Sequence, residues 1–317
     1  MEREAGHERV RGDPFVPTSV RALLDGGNVL LQPGDIVMTP VLACAERYVV
    51  PPGCRLGASL HAMGDVEIGR GVEIAEDVVA SGTILWQGGT QSGARNLVGR
   101  VIHFGAPPGS ITGGIWCETM QSDGNGLSLP AGASVRGIVV IGSAPPEAFV
   151  VGNDAQVGGL FVPGAVETRS KVVIGHLAAE GAVTVGRKNR IGCVEGAEVR
   201  VAPDALITFI LSRGPVEVAG KSMVDTIRAG GEITLGVGVS ISGSVLVSEQ
   251  GDFHFAGGQG WHTQPTHWFY RRPDDSLYPY EPGVPRPEES SLVALRMLNH
   301  QLWRQAERLA EGVGKHL

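Results

Sequence analysis

His262 and His267 stand five residues apart in the stretch HTQPTH, a spacing at which two imidazoles can share a divalent metal ion. A complete site needs a third ligand from elsewhere in the fold, and His61, His103 and His176 are the candidates. The pair lies in an aromatic segment with Pro265 between the two rings, which reads more simply as a loop carrying exposed histidines. No metal site is expected. A second possibility is the acidic strip of Asp65, Glu67, Glu73, Glu76 and Asp77, since two carboxylates across a groove can cleave a glycosidic bond. These acids alternate with apolar residues, so they read as the solvated side of an extended chain. The sequence contains no P-loop, no GxSxG and no Cys–His arrangement. The glycines of GVGVSISG at 236–243 sit between extended stretches rather than ahead of a helix, which argues against dinucleotide binding. No catalytic residue, cofactor or metal is assigned, and the chain reads as a non-enzyme.

The remaining candidate surface is the segment holding Trp261, Trp268, Phe269, Tyr270, Arg271, Arg272, Tyr278 and Tyr280. Aromatic rings beside two adjacent arginines could stack on sugars or bases, or anchor a protein partner. Packing of the rings against the body of the fold is the favoured reading.

Composition limits the rest. The chain has 47 glycines in 317 residues but is only 5% aromatic and 19% charged, so its glycine content does not signal disorder. Its net charge of −7 argues against a general nucleic-acid or anionic-membrane binder. Cys44, Cys54, Cys117 and Cys193 form no CxxC pair and read as small core residues in a reducing compartment. The opening MEREAGHERVRGDP lacks an apolar signal core, and no later run is long enough to span a membrane. A soluble, cytoplasmic protein is expected.

What must position any site is a repeat. GDVEIGRGVEI at 64–74 returns as GAVTVGRKNRI at 181–191 and GEITLGVGVSI at 231–241. Each has an apolar–polar–apolar triplet flanked by glycine. Their starts lie 117 and 50 residues apart, near multiples of about 17. VGRKNRI, VAPDALI, VAGKSMV and LGVGVSI, starting at 185, 201, 218 and 235, step by 16, 17 and 17. FGAPPGSITGGI at 104–115 reads as a coil with residues inserted at its corner. Alternation at period two with a turn at one repeated position predicts an all-β, single-stranded parallel β-solenoid. The corner residues, Gly-x-Gly, Pro-Gly, Asn-Asp, Pro-Asp and Gly-Lys, suit tight turns with positive φ. A sandwich would space its strands irregularly, and a propeller needs a longer period. Eleven or twelve coils fit between residues 28 and 257, with only apolar or small residues inside.

Two segments leave the pattern. Residues 18–27 are expected to form a short helical N-terminal cap behind a tail at 1–17. Residues 290–317 carry an amphipathic helix whose Leu295, Leu298, Leu302 and Leu309 recur at helical spacing, for docking or self-association. The aromatic, proline-rich loop occupies 258–289 between solenoid and helix.

MGDVEIGRGVEI, EGAVTVGRKNRI and GGEITLGVGVSISGSVLV resemble the bactofilins and related bacterial polymer-forming proteins in their G-[DE]-V-x-I-G-x-G cadence. The resemblance implies a right-handed, three-sided β-helix acting as a cytoskeletal or envelope-associated scaffold. It implies a homo-oligomer or polymer that associates end to end, with other envelope or cytoskeletal proteins as further partners. IGRGVEIAEDVV and VGRKNRIGCVEG are also similar to the hexads of left-handed β-helix acyltransferases and γ-class carbonic anhydrases, which use the His262/His267 spacing for metal ligation. A solenoid enzyme of that kind, or a carbohydrate-binding module with its site on a flank, is the alternative expectation.

Overall fold

The computed structural model describes residues 30–124 and 126–248, together with the strands at 253–255, 267–271 and 277–279. The N-terminal tail and cap (1–27) and the C-terminal helix (290–317) lie outside the described residues. The strands assemble into a parallel β-solenoid of about twelve turns, with no helix among the described residues.

The first coils are three-sided. One coil places Ile36–Val37, Val41–Ala43 and Arg47–Val50 on three successive walls. The next stacks Arg55–Leu56, Leu60–Ala62 and Asp65–Ile68 directly on them in parallel register. In GDVEIGRGVEI, Val66, Ile68, Val72 and Ile74 are buried, and Gly71 turns the corner at φ 70°. Glu67 and Glu73 face out and pair with Arg47 and Arg55 of the preceding coil, while Asp77 pairs with Arg95 of the following one at 2.8 Å. Exposed pairs of this kind add little stability. Their like-on-unlike stacking does avoid the repulsion that in-register acids would create. The other two acids of the strip accept hydrogen bonds between coils, Asp65 from the Thr83 N–H at 2.7 Å and Glu76 from the Ser59 hydroxyl at 2.8 Å.

From residue 134 onward the first two walls merge into one bent strand per coil. These strands are Ser134–Ile141, Gln156–Val162, Val173–Ala179, Arg190–Gly196, Leu206–Ser212 and Met223–Ala229. The third wall continues through Phe149–Val151 to Phe253–Phe255. Between Ser122 and Ser128 a short hairpin excursion separates the early third wall from the later one. A ladder of left-handed corners runs through Gly34, Gly53 and Gly71 and, after an interruption at the corner following Phe104, through Gly132, Asp154, Lys171, Lys188, Asp204, Lys221 and Gly238. This is the repeated turn position that the sequence places at positive φ.

The corner in 104–115 does carry an extra residue, since Phe104 to Ser110 is one residue longer than the equivalent Ile68 to Glu73, and the preceding coil carries two, with the pairing shifting between Gly89 and Gly93. Three expectations are corrected. The interior is not wholly apolar: Asn189 is fully buried, donating to Thr168 Oγ1 at 2.7 Å and accepting from the Val172 N–H at 2.9 Å. Such a group is tolerated inside only because its hydrogen bonds are made. The cysteines do not share one environment. Cys54 and Cys117 are in the core, Cys44 is exposed, and Cys193 is buried outside the main core. Finally, the segment read as loop contains two strands. Residues 267–271 stack in parallel on Ser244–Ser248, and 277–279 returns antiparallel against them.

Candidate functional site

A groove of about 600 Å³ lies on the outer face of the bent strands. Its origin is a break in alternation. In the strand 156–162 the core residues are Val157, Leu160 and Val162, and the next coils repeat this with Ile174, Leu177 and Ala179, then Ile191 and Val194. An apolar spacing of three leaves two successive residues on the outside, which an extended chain achieves only by bending. Bends stacked in register make a trough parallel to the solenoid axis.

Gly158, Gly175 and Gly192 form the floor. A Cβ on Gly175 would lie 2.4 Å from the carbonyl oxygen of Gly158, and one on Gly192 would lie 2.4 Å from that of Gly175. The adjoining row runs Ile138, Gly159, His176, Cys193 and Phe209, each in register with the next. Arg136 stands exposed at one mouth. Two residues before the floor glycines runs a row of exposed side chains, Val173, Arg190, Leu206 and Met223, in which one arginine interrupts the apolar residues. Beside the groove Trp116, Ile138, Val140, Phe161 and Ala178 form an apolar cluster separate from the main core.

His176 is the polar centre of this surface. It is 7% exposed, its ring lies 5.6 Å from that of Phe161, and its Nε2 is buried with no hydrogen-bond partner among the described residues. Burial pushes its pKa down to about 4, so the imidazole is neutral. The neighbouring Cys193 thiol is pushed up to about 12 by burial, with the Glu195 carboxylate adding to the rise. A protonated thiol beside an imidazole that nothing orients is not an activated nucleophile. The arrangement favours contact with an apolar partner.

The metal candidates do not converge. His61 is exposed on an early coil, His103 pairs with Asp123 at 2.6 Å on another wall, and His176 lies in the groove. His267 opens the strand 267–271, and His262 lies outside the described residues. No group of three metal-ligating side chains occurs among the described residues. Of the aromatic segment, Trp268, Phe269, Tyr270 and Arg271 share one strand and Tyr278 pairs across from Tyr270, whereas Trp261, Arg272 and Tyr280 lie outside the described residues. Leu295, Leu298, Leu302 and Leu309 lie outside them as well.

No family model, curated protein or solved structure matches the chain. Among the described residues, no helix is long and apolar enough to cross a membrane.

The groove was missed in the sequence because His176 and Cys193 are seventeen residues apart and look unrelated until the coil register is known. The signal was nevertheless present in VGGL, IGHL, IGCV, ITFI and VDTI, where apolar residues three apart recur once per coil.

Proposed function

We propose that this chain is a non-enzymatic structural scaffold of bactofilin-like type that self-associates through its β-helix. The G-[DE]-V-x-I-G-x-G cadence supports a right-handed coil and a cytoplasmic, cytoskeletal or envelope-associated role. The observation that carries self-association is the difference between the two ends of the ladder.

At the C-terminal end, the outer edge of 267–271 is covered by the antiparallel strand Leu277–Pro279, which leaves Phe253–Phe255 on the third wall paired on one side among the described residues. Pro279 lacks an N–H, and a proline on an edge strand discourages further pairing. At the N-terminal end, 36–37, 41–43 and 47–50 pair on one side only among the described residues. That first coil also exposes Ile36, Met38, Leu42 and Val49. Association through this end alone closes on itself and yields small assemblies rather than filaments.

The test is sedimentation velocity over a wide concentration range, with negative-stain microscopy of the same samples. The wild type is expected to form a discrete dimer. Leu42→Lys with Val49→Lys should be monomeric with an unchanged circular dichroism spectrum, because both side chains already face solvent. A wild type that stays monomeric throughout, or a double variant with wild-type mass, sinks the reading.

A further inference from the structure

The groove and the C-terminal amphipathic segment match each other in chemistry, length and reach. We propose that residues 290–313 of the same chain dock in the groove as a helix, with Leu295, Leu298, Leu302 and Leu309 against Phe209, Cys193, His176 and Ile138.

The chemistry comes first. The early coils show solvent a ladder of Arg–Glu and Arg–Asp pairs, whereas the groove offers glycine backbone, Ile138, Cys193 and Phe209, with exposed Val173, Leu206 and Met223 beside it and only Arg136 and Arg190 as charges. An apolar strip of this kind marks a contact surface. A stripe of leucines at helical spacing is the complementary shape.

Length agrees. From Ile138 to Phe209 the groove crosses four coil steps, about 19 Å at the usual strand spacing. From Leu295 to Leu309 a helix rises about 21 Å.

Reach agrees too. Residues 267–271 and 277–279 end the described chain on the same wall as the groove, in register with 244–248 and therefore with 223–229. The coil of Phe209 is three steps back from 267–271, about 14 Å. Residues 280–289, with Pro282, Pro285 and Pro287, span about 31 Å when extended. The helix can therefore enter near Phe209 and run back towards Ile138.

Crosslinking in the full-length chain tests this. In a Cys44→Ser background, which removes the exposed thiol, the exposed Val173 is replaced by cysteine and combined with Leu298→Cys, Leu302→Cys or the opposite-face control Arg304→Cys, and each is treated with a short thiol–thiol crosslinker. The expected product is an intrachain link to position 173 from position 298 or 302 and not from 304, located by peptide mass mapping. Links between chains would place a second copy in the groove and overturn the proposal, as would no link, or a link from 304 of equal yield. Independently, adding Leu298→Asp with Leu302→Asp to the Cys44→Ser, Val173→Cys chain should raise the labelling rate at position 173 at least tenfold with an unchanged circular dichroism spectrum. An unchanged rate overturns the proposal.

Discussion

Asn189 and Thr168 are joined inside the solenoid across two coils, Nδ2 donating to Oγ1 at 2.7 Å, with neither side chain reaching solvent. Thr168 Oγ1 also accepts from the Gly186 N–H at 3.0 Å, so the pair ties two successive corners together. Asn189→Ala deletes both Asn189 bonds and leaves the Val172 N–H and Thr168 short of partners. The expected loss is about 3 kcal/mol, read as a lower urea midpoint at constant m-value. A loss below about 0.5 kcal/mol would mean that water enters this corner and takes over the bonds.

Lys171, Lys188 and Lys221 occupy the same left-handed corner as Gly34, Gly53 and Gly71 in the early coils. A side chain at φ near 60° carries strain that glycine avoids, partly offset by glycine's greater freedom in the unfolded chain. Lys188→Gly should therefore stabilise the protein by about 0.5–1 kcal/mol, visible as a higher thermal midpoint. No change or a decrease would show that the lysine stem contributes packing that outweighs its backbone strain.

The neutral imidazole of His176 makes stability depend on pH. Its folded pKa, near 4, is below the ordinary value of 6.5, so the unfolded chain takes up the proton more readily. The contribution is fully present above about pH 6.5 and is lost as pH falls towards 4, by on the order of 3 kcal/mol in total. His176→Phe keeps the groove apolar and should flatten this part of the profile. A wild type and variant with parallel stability curves between pH 4 and 6.5 would refute the assignment.

The architecture was legible because a solenoid repeats one local problem. Val66, Ile68, Val72 and Ile74 declare the inward side by alternation, and Gly71 declares the corner by its conformation, so a few copies extend to the whole stack. Asn189 was not legible: beside Lys188 in a polar corner it looks outward, and only its bonds to Val172 and Thr168, made between coils, allow it inside. His176 and Cys193 were hidden for a related reason. Their adjacency depends on a bend that places two successive residues outside, and alternation alone assigns one of the two to the core.

Gly192 and Gly71 are both glycines of the repeat but for different physical reasons, and one substitution at each separates them. Gly71 has a φ of 70° and nothing within 4 Å of an added Cβ, so Gly71→Ala pays only backbone strain, about 1 kcal/mol. Gly192 has no such conformational demand, but its Cβ would fall 2.4 Å from the Gly175 carbonyl oxygen, a contact that only a shift of the coil can relieve. Stacked backbones cannot move singly, because each coil is hydrogen-bonded to two others along the whole strand. Gly192→Ala is therefore expected to cost about 2–3 kcal/mol, in the range of overpacked interiors, although the added methyl faces the groove and not the core. Paired urea melts decide the matter. Equal losses at the two positions would mean that the bent strands separate easily, and that the groove is a flexible crease instead of a rigid trough.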